Sequence, residues 1–144
     1  MTGQDWIVAC VVATEVPPKP TGNFTAPMIP LAIRAVCDVI RNRVGDARFG
    51  DNAVSVVLQP KQFSAVCREP YWRDAMAGKW FPHHVQQCLE VWQDNPTGNV
   101  VPGAKWYYSP ISMVPRWSEP SWVKGLTEVT VEGLDTAYFR FYRE

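Results

Sequence analysis

Apolar positions along this chain follow helical spacing over roughly its first two thirds and strand-like alternation towards its end. In the first segment, Trp6, Ile7, Cys10, Val11 and Thr14 share one face at spacings of three and four. Asp5 is placed to cap its start. Pro17 and Pro18 lack a backbone donor, and Pro17 turns Val16 away from helical angles, so the helix is predicted to end near Glu15. Pro17 to Pro30 reads as an ordered loop, long enough to be functional. A second helix is predicted from about Pro30 to Val44, with Ile33, Val36, Cys37, Ile40 and Val44 inward and Asp38 outward. Gly45 stops it.

Asn52 caps a short helix from about Ala53 to Leu58. The polar, aromatic loop Lys61-Gln62-Phe63-Ser64 follows, then a short helix within Tyr71 to Ala77. Pro82 opens a helix to about Trp92, with Val85, Cys88, Leu89 and Trp92 on one side and His83-His84 on a solvated first turn. Residues 100–110 are extended and aromatic, and Ile111 to Lys124 is loop-like. Leu126 to Glu132 and Ala137 to Arg143 alternate as two strands joined around Gly133-Leu134-Asp135. The pattern therefore predicts an α+β chain, mainly helical, with a small C-terminal antiparallel β-hairpin, organised as a single domain over residues 1–144.

Composition narrows the function. Fourteen basic and fourteen acidic residues cancel, which disfavours a nucleic acid held through its phosphates. The longest apolar run falls short of the roughly 20 residues of a membrane span, so no stable membrane insertion is expected. The start Met-Thr-Gly-Gln-Asp lacks a basic signal-like region, which predicts synthesis in a cytoplasm without a signal peptide. Cys10, Cys37, Cys67 and Cys88 show no Cys-x-x-Cys spacing and read as reduced core thiols. With only His83 and His84 to join them, neither a metal nor another cofactor is expected. A monomer is expected.

What remains is Glu15 among aromatics and amides on loops. An apolar helix that stops at a carboxylate sets that carboxylate at the rim of the core, where partial burial favours a protonated general acid. Aromatic rings suit the flat C–H faces of sugars, and amides and hydroxyls suit their polar groups. Phe63, Tyr107, Tyr108 and Trp117, lying between Pro, Ser and Gly, are harder to explain as core than Trp6 and Trp92.

Three runs and one tryptophan carry a resemblance: Val39-Ile40-Arg41-Asn42-Arg43-Val44, Gln59-Pro60-Lys61-Gln62-Phe63-Ser64, Gly103-Ala104-Lys105-Trp106-Tyr107-Tyr108-Ser109-Pro110, and Trp117. In order and spacing they resemble the SleB-type cell wall hydrolases, the spore-cortex-lytic enzymes and their bacterial and phage relatives. The resemblance implies a lysozyme-like fold and lytic transglycosylase activity on peptidoglycan glycan strands. It implies that Glu15, which ends the helix ahead of the Asn-Arg-Val helix, is the catalytic acid. Gln62, Ser64 and Tyr107 or Tyr108 are then expected to position the substrate's acetamido group and Glu15, with Phe63 and Trp117 as cleft walls. After Glu15 the chain departs from the family pattern: Val16-Pro17-Pro18-Lys19-Pro20 and a longer loop replace an Ala-Arg-Gly-Glu type sequence and a short link.

A two-carboxylate glycosidase needs a second acid about 5–9.5 Å away, and no second acid has a marked position. This agrees with what the resemblance implies: Glu15 works alone on the MurNAc–GlcNAc β-1,4 bond and leaves 1,6-anhydro-muramoyl ends. The setting expected is an endolysin-like enzyme acting on the wall after release, or a virion component. The alternatives are a water-using muramidase on the same fold and a non-catalytic glycan-binding or virion structural module.

Overall fold

The computed structural model describes residues 3–59, 74, 81–94 and 99–144. Its helices are α1 (Gly3–Glu15), α2 (Met28–Arg43), α3 (Ala53–Val57) and α4 (Pro82–Asp94). Strands β1 (Trp106–Tyr108), β2 (Thr127–Val129) and β3 (Arg140–Arg143) form an antiparallel sheet in the order β1-β3-β2. This is the mainly helical α+β class that the residue pattern predicts, and it is consistent with a lysozyme-like domain. The sheet has one strand more than the predicted hairpin: the aromatic run at 106–108 joins it.

Helix α1 is the centre of the body. Every residue from Val8 to Ala13 is buried, each 1 % exposed or less. A helix apolar all round is an interior helix, so the single inward face read from the sequence is too narrow. α4, α3 and α2 enclose it. Asp5 lies inside the first turn and accepts hydrogen bonds from Trp92 Nε1 (3.1 Å) and Gln93 Nε2 (3.4 Å), pinning α1 to α4.

Helix α2 presents its predicted apolar face from Ile33 to Ile40, but Val44 lies past its end and is 38 % exposed, and Asp38 is turned inward, only 3 % exposed. Its carboxylate pairs with Arg41 (3.0 Å) and accepts from Val100 N–H (2.9 Å). Arg41 lies over the Trp92 ring, 4.6 Å from its centroid, and donates to the Trp92 carbonyl. The polar side of α2 thus clasps the end of α4 and the segment beyond it. A buried charge is tolerated when paired in this way.

Asn52 caps α3 as predicted, accepting from Ser55 N–H (2.9 Å) while Ser55 Oγ accepts from Asn52 N–H (3.2 Å). Gly50, at φ 146°, packs so closely on Ser55 that a Cβ there would collide with its hydroxyl.

In the sheet, β3 is central. Tyr107 and Val129 both face Phe141 in register, and Phe141 is 2 % exposed. Alternation alone puts Tyr142 on the solvent side, yet it is 3 % exposed. The cause is a second aromatic layer: Tyr108 stacks on Tyr142 at 6.1 Å and the Trp122 ring meets both edge-on. Burial pushes the Tyr142 phenol up to about 12.

Candidate active site

Where α1 ends, a cleft of about 600 Å³ opens between the helical body and the sheet. Thr14, Glu15 and Pro17 form one wall, and Tyr107, Tyr108 and Ser109 another. Tyr138 and Phe139 come from the β2–β3 connection. Glu15 is half-buried, and among the described residues it is the one carboxylate that lines the cleft. The placement follows from local sequence: the buried run carries the helix out of the core, and the prolines stop it at the cleft edge.

The opposite wall is set by Asn42 and Arg43. Asn42 Nδ2 donates to the carbonyls of Val101 (3.1 Å) and Ala104 (2.8 Å), and its Oδ1 accepts from Asn99 Nδ2 (2.7 Å). Arg43 is 3 % exposed. Its Nε donates to the Lys105 carbonyl (2.7 Å) and its guanidinium lies over Phe49, 4.6 Å from the centroid. These bonds hold residues 99–105 and set β1 so that Tyr107 comes within electrostatic reach of Glu15, while Tyr108, on the other face of the strand, also borders the cleft.

Glu15, Arg43 and Tyr107 form one electrostatic group. Burial holds the Arg43 guanidinium below its ordinary value, while the negative charge of Glu15 favours its protonated form. The Tyr107 phenol is held well above the usual tyrosine range, first by burial and then by the negative charge of Glu15, with Arg43 opposing. Tyr107 is therefore a neutral hydrogen-bonding phenol at any physiological pH.

The loop after α1 closes one side of the cleft. Tyr138 Oη donates to the Thr21 carbonyl (3.1 Å), and Phe24 packs on Tyr138 at 5.2 Å. Gly22, at φ 53°, leaves room for that phenol, since a Cβ there would stand 2.6 Å from it.

Of the residues singled out from sequence, Glu15, Tyr107 and Tyr108 line this one cleft. Trp117 lies outside its lining, 59 % exposed and at φ 70°, with its N–H donating to the Pro110 carbonyl (2.9 Å). Gln62, Phe63 and Ser64 lie outside the described residues, as do Cys67 and most of the predicted Tyr71–Ala77 helix.

Sequence reasoning assigns Arg43 no role of its own, misses Tyr138, and misplaces His84. His84 is 5 % exposed, not solvated, and its Nε2 bonds the carbonyls of Val16 (2.8 Å) and Ala13 (3.2 Å). The sequence signal for His84 was available: two prolines leave the end of α1 short of donors, which calls for one from elsewhere.

A helical body with a small sheet, and an acid on a helix end lining one cleft with tyrosines, form an arrangement suited to cutting glycans. Residues 31–133 match the family model described as Cell Wall Hydrolase, and the chain belongs to that family. It is a cell wall hydrolase, with peptidoglycan as the family's substrate. The matched stretch contains Asn42, Arg43, Tyr107 and Tyr108, and Glu15 precedes it. Comparison with curated proteins and with solved structures finds no match.

Proposed function

We propose that the chain is a peptidoglycan lytic transglycosylase that cleaves the MurNAc–GlcNAc β-1,4 bond with Glu15 as its one catalytic acid. The observation that carries this reading is Glu15 at the cleft edge, coupled to Tyr107, with no other carboxylate lining the cleft among the described residues. Glu15 gives its proton to the bridging oxygen as the bond from that oxygen to C1 of the muramoyl residue breaks. The C6 hydroxyl oxygen of the same residue attacks C1, and its proton returns to Glu15. The product is a 1,6-anhydro end, the acid is regenerated, and no water is consumed.

Between the two proton transfers Glu15 is a carboxylate, and the Arg43 charge steadies it there. Tyr107 stays protonated and donates to the substrate, while Tyr108 and Tyr138 border the sugars in the cleft. Gln62, Phe63, Ser64 and Trp117 extend the substrate contacts in this reading. The setting proposed is phage-type lysis by a monomer acting on the wall after release, or from a virion.

Mass spectrometry of muropeptides released by wild type and Glu15→Gln tests the proposal. Anhydro ends from wild type and none from the variant are expected. Reducing ends establish a water-using muramidase instead. Wild type that binds peptidoglycan and releases nothing is a binding module. A fully active Glu15→Gln removes Glu15 from the chemistry. Expressed with a pore-forming partner, wild type should lyse cells and the variant should not.

A further inference from the structure

The last α-helical backbone bond of α1 runs from Val16 N–H to the Val12 carbonyl (3.3 Å). The next two carbonyls, of Ala13 and Thr14, face Pro17 and Pro18, which have no N–H to give. His84, on the first turn of α4, reaches this point with its Nε2 within hydrogen-bond distance of the carbonyls of Ala13 and Val16. Carbonyls only accept, so Nε2 carries the hydrogen and one N–H is shared between the two. Nδ1 is then the bare nitrogen, and it is buried without a hydrogen-bond partner among the described residues. The two carbonyls bracket Glu15 in sequence.

We infer that His84 is the positioning residue for Glu15: its neutral imidazole caps the proline-terminated end of α1 and so fixes where the Glu15 carboxyl stands in the cleft. Burial lowers the basicity of the ring and keeps it in the neutral form the cap needs. A second proton on Nδ1 would be buried with no acceptor among the described residues. The role rests on the reading of Glu15 as the acid. His84 touches no substrate and acts only through the helix end. A displacement of the acid by about 1 Å costs up to about 100-fold in turnover, which sets the scale for losing the cap.

The experiment compares wild type, His84→Leu, His84→Gln and Glu15→Gln on soluble peptidoglycan glycan oligomers, with a melting curve for each. Leu fills similar space and donates nothing, whereas the Gln amide can place a donor near Nε2. His84→Leu is expected to lose about 10- to 100-fold in kcat with KM nearly unchanged, and His84→Gln to recover most of the loss. Wild-type kcat in His84→Leu overturns the inference, as does a folded His84→Gln as impaired as His84→Leu. Nitrogen NMR of the wild-type imidazole decides the case even where His84→Leu does not fold. A neutral Nε2–H tautomer at neutral pH is expected, and an Nδ1–H tautomer overturns the cap. Glu15→Gln separates the two levels. An inactive Glu15→Gln beside a fully active His84→Leu removes His84 and leaves the acid standing. An active Glu15→Gln removes the acid, and with it the positioning role.

Discussion

Asn42→Ala is the sharpest test of how the cleft is built. The substitution removes the two donors to the carbonyls of Val101 and Ala104 and the acceptor for Asn99. Val101 and Ala104 are fully buried, so water does not easily replace the lost donors. Three hydrogen bonds at about 1 kcal/mol each set the upper part of the range, and the half-buried Asn42 site lets some solvent in. A loss of about 2–3 kcal/mol is expected. At about 2–4 °C per kcal/mol for a chain of this size, the melting temperature falls by about 5–10 °C. Asn42→Asp keeps the shape, but an ionised carboxylate only accepts and sets a charge against two carbonyls, so it should cost more than Ala. Denaturant unfolding with an unchanged slope gives the stability difference. Peptidoglycan cleavage well below the melting temperature should fall too, because residues 99–105 lead directly into Tyr107 and Tyr108. An Asn42→Ala protein within about 0.5 kcal/mol of wild type refutes the reasoning. So does Asn42→Asp more stable than Asn42→Ala.

Arg43→Lys keeps a charge but not the Nε bond to the Lys105 carbonyl or the guanidinium over Phe49. It should lose about 1–3 kcal/mol in unfolding experiments and about tenfold or more in muropeptide release. Cys10 and Cys37 are buried thiols pushed up to about 12, and burial raises Cys88 as well. An alkylating reagent at neutral pH should leave all three unmodified in the folded enzyme and modify all three in denaturant, counted by mass spectrometry. His84 is held below its ordinary value in the folded protein, so the unfolded chain binds its proton first on acidification. Stability from this source is intact above about pH 6.5, begins to fall there, and is fully lost below the folded value. Unfolding of wild type and His84→Gln across that window checks it, since the variant lacks this slope. The depressed carboxyls of Glu128 and Glu144 add their own loss only in stronger acid, below about pH 4.

Much of this architecture was readable because local signals agreed. Proline after Glu15, Asn52 before α3 and the three-and-four spacing in α2 each set an element to within a few residues. What escaped were features created by distant partners. Asp38 reads as a solvent residue until Arg41 and the Val100 amide arrive to satisfy it. Tyr142 reads as exposed until Trp122 covers it. Strand β1 is three residues long, too short to show a period, and it becomes a strand by pairing with β3. At the cleft, Glu15, Tyr107 and Tyr108 were accessible as residue types in the right order. Arg43 was not, because its role depends on a carbonyl that only the fold brings to it, and for His84 the prolines after Glu15 signal the need for a donor but not which residue supplies it.

The centrality of β3 has a consequence for the order of assembly. Tyr107 and Tyr108 leave the ribosome well before Phe141 and Arg140, their partners in register. Until those later residues emerge, the aromatic wall has nothing to pair with, and such distant pairings form slowly. The groove is therefore complete only once β3 has joined the sheet.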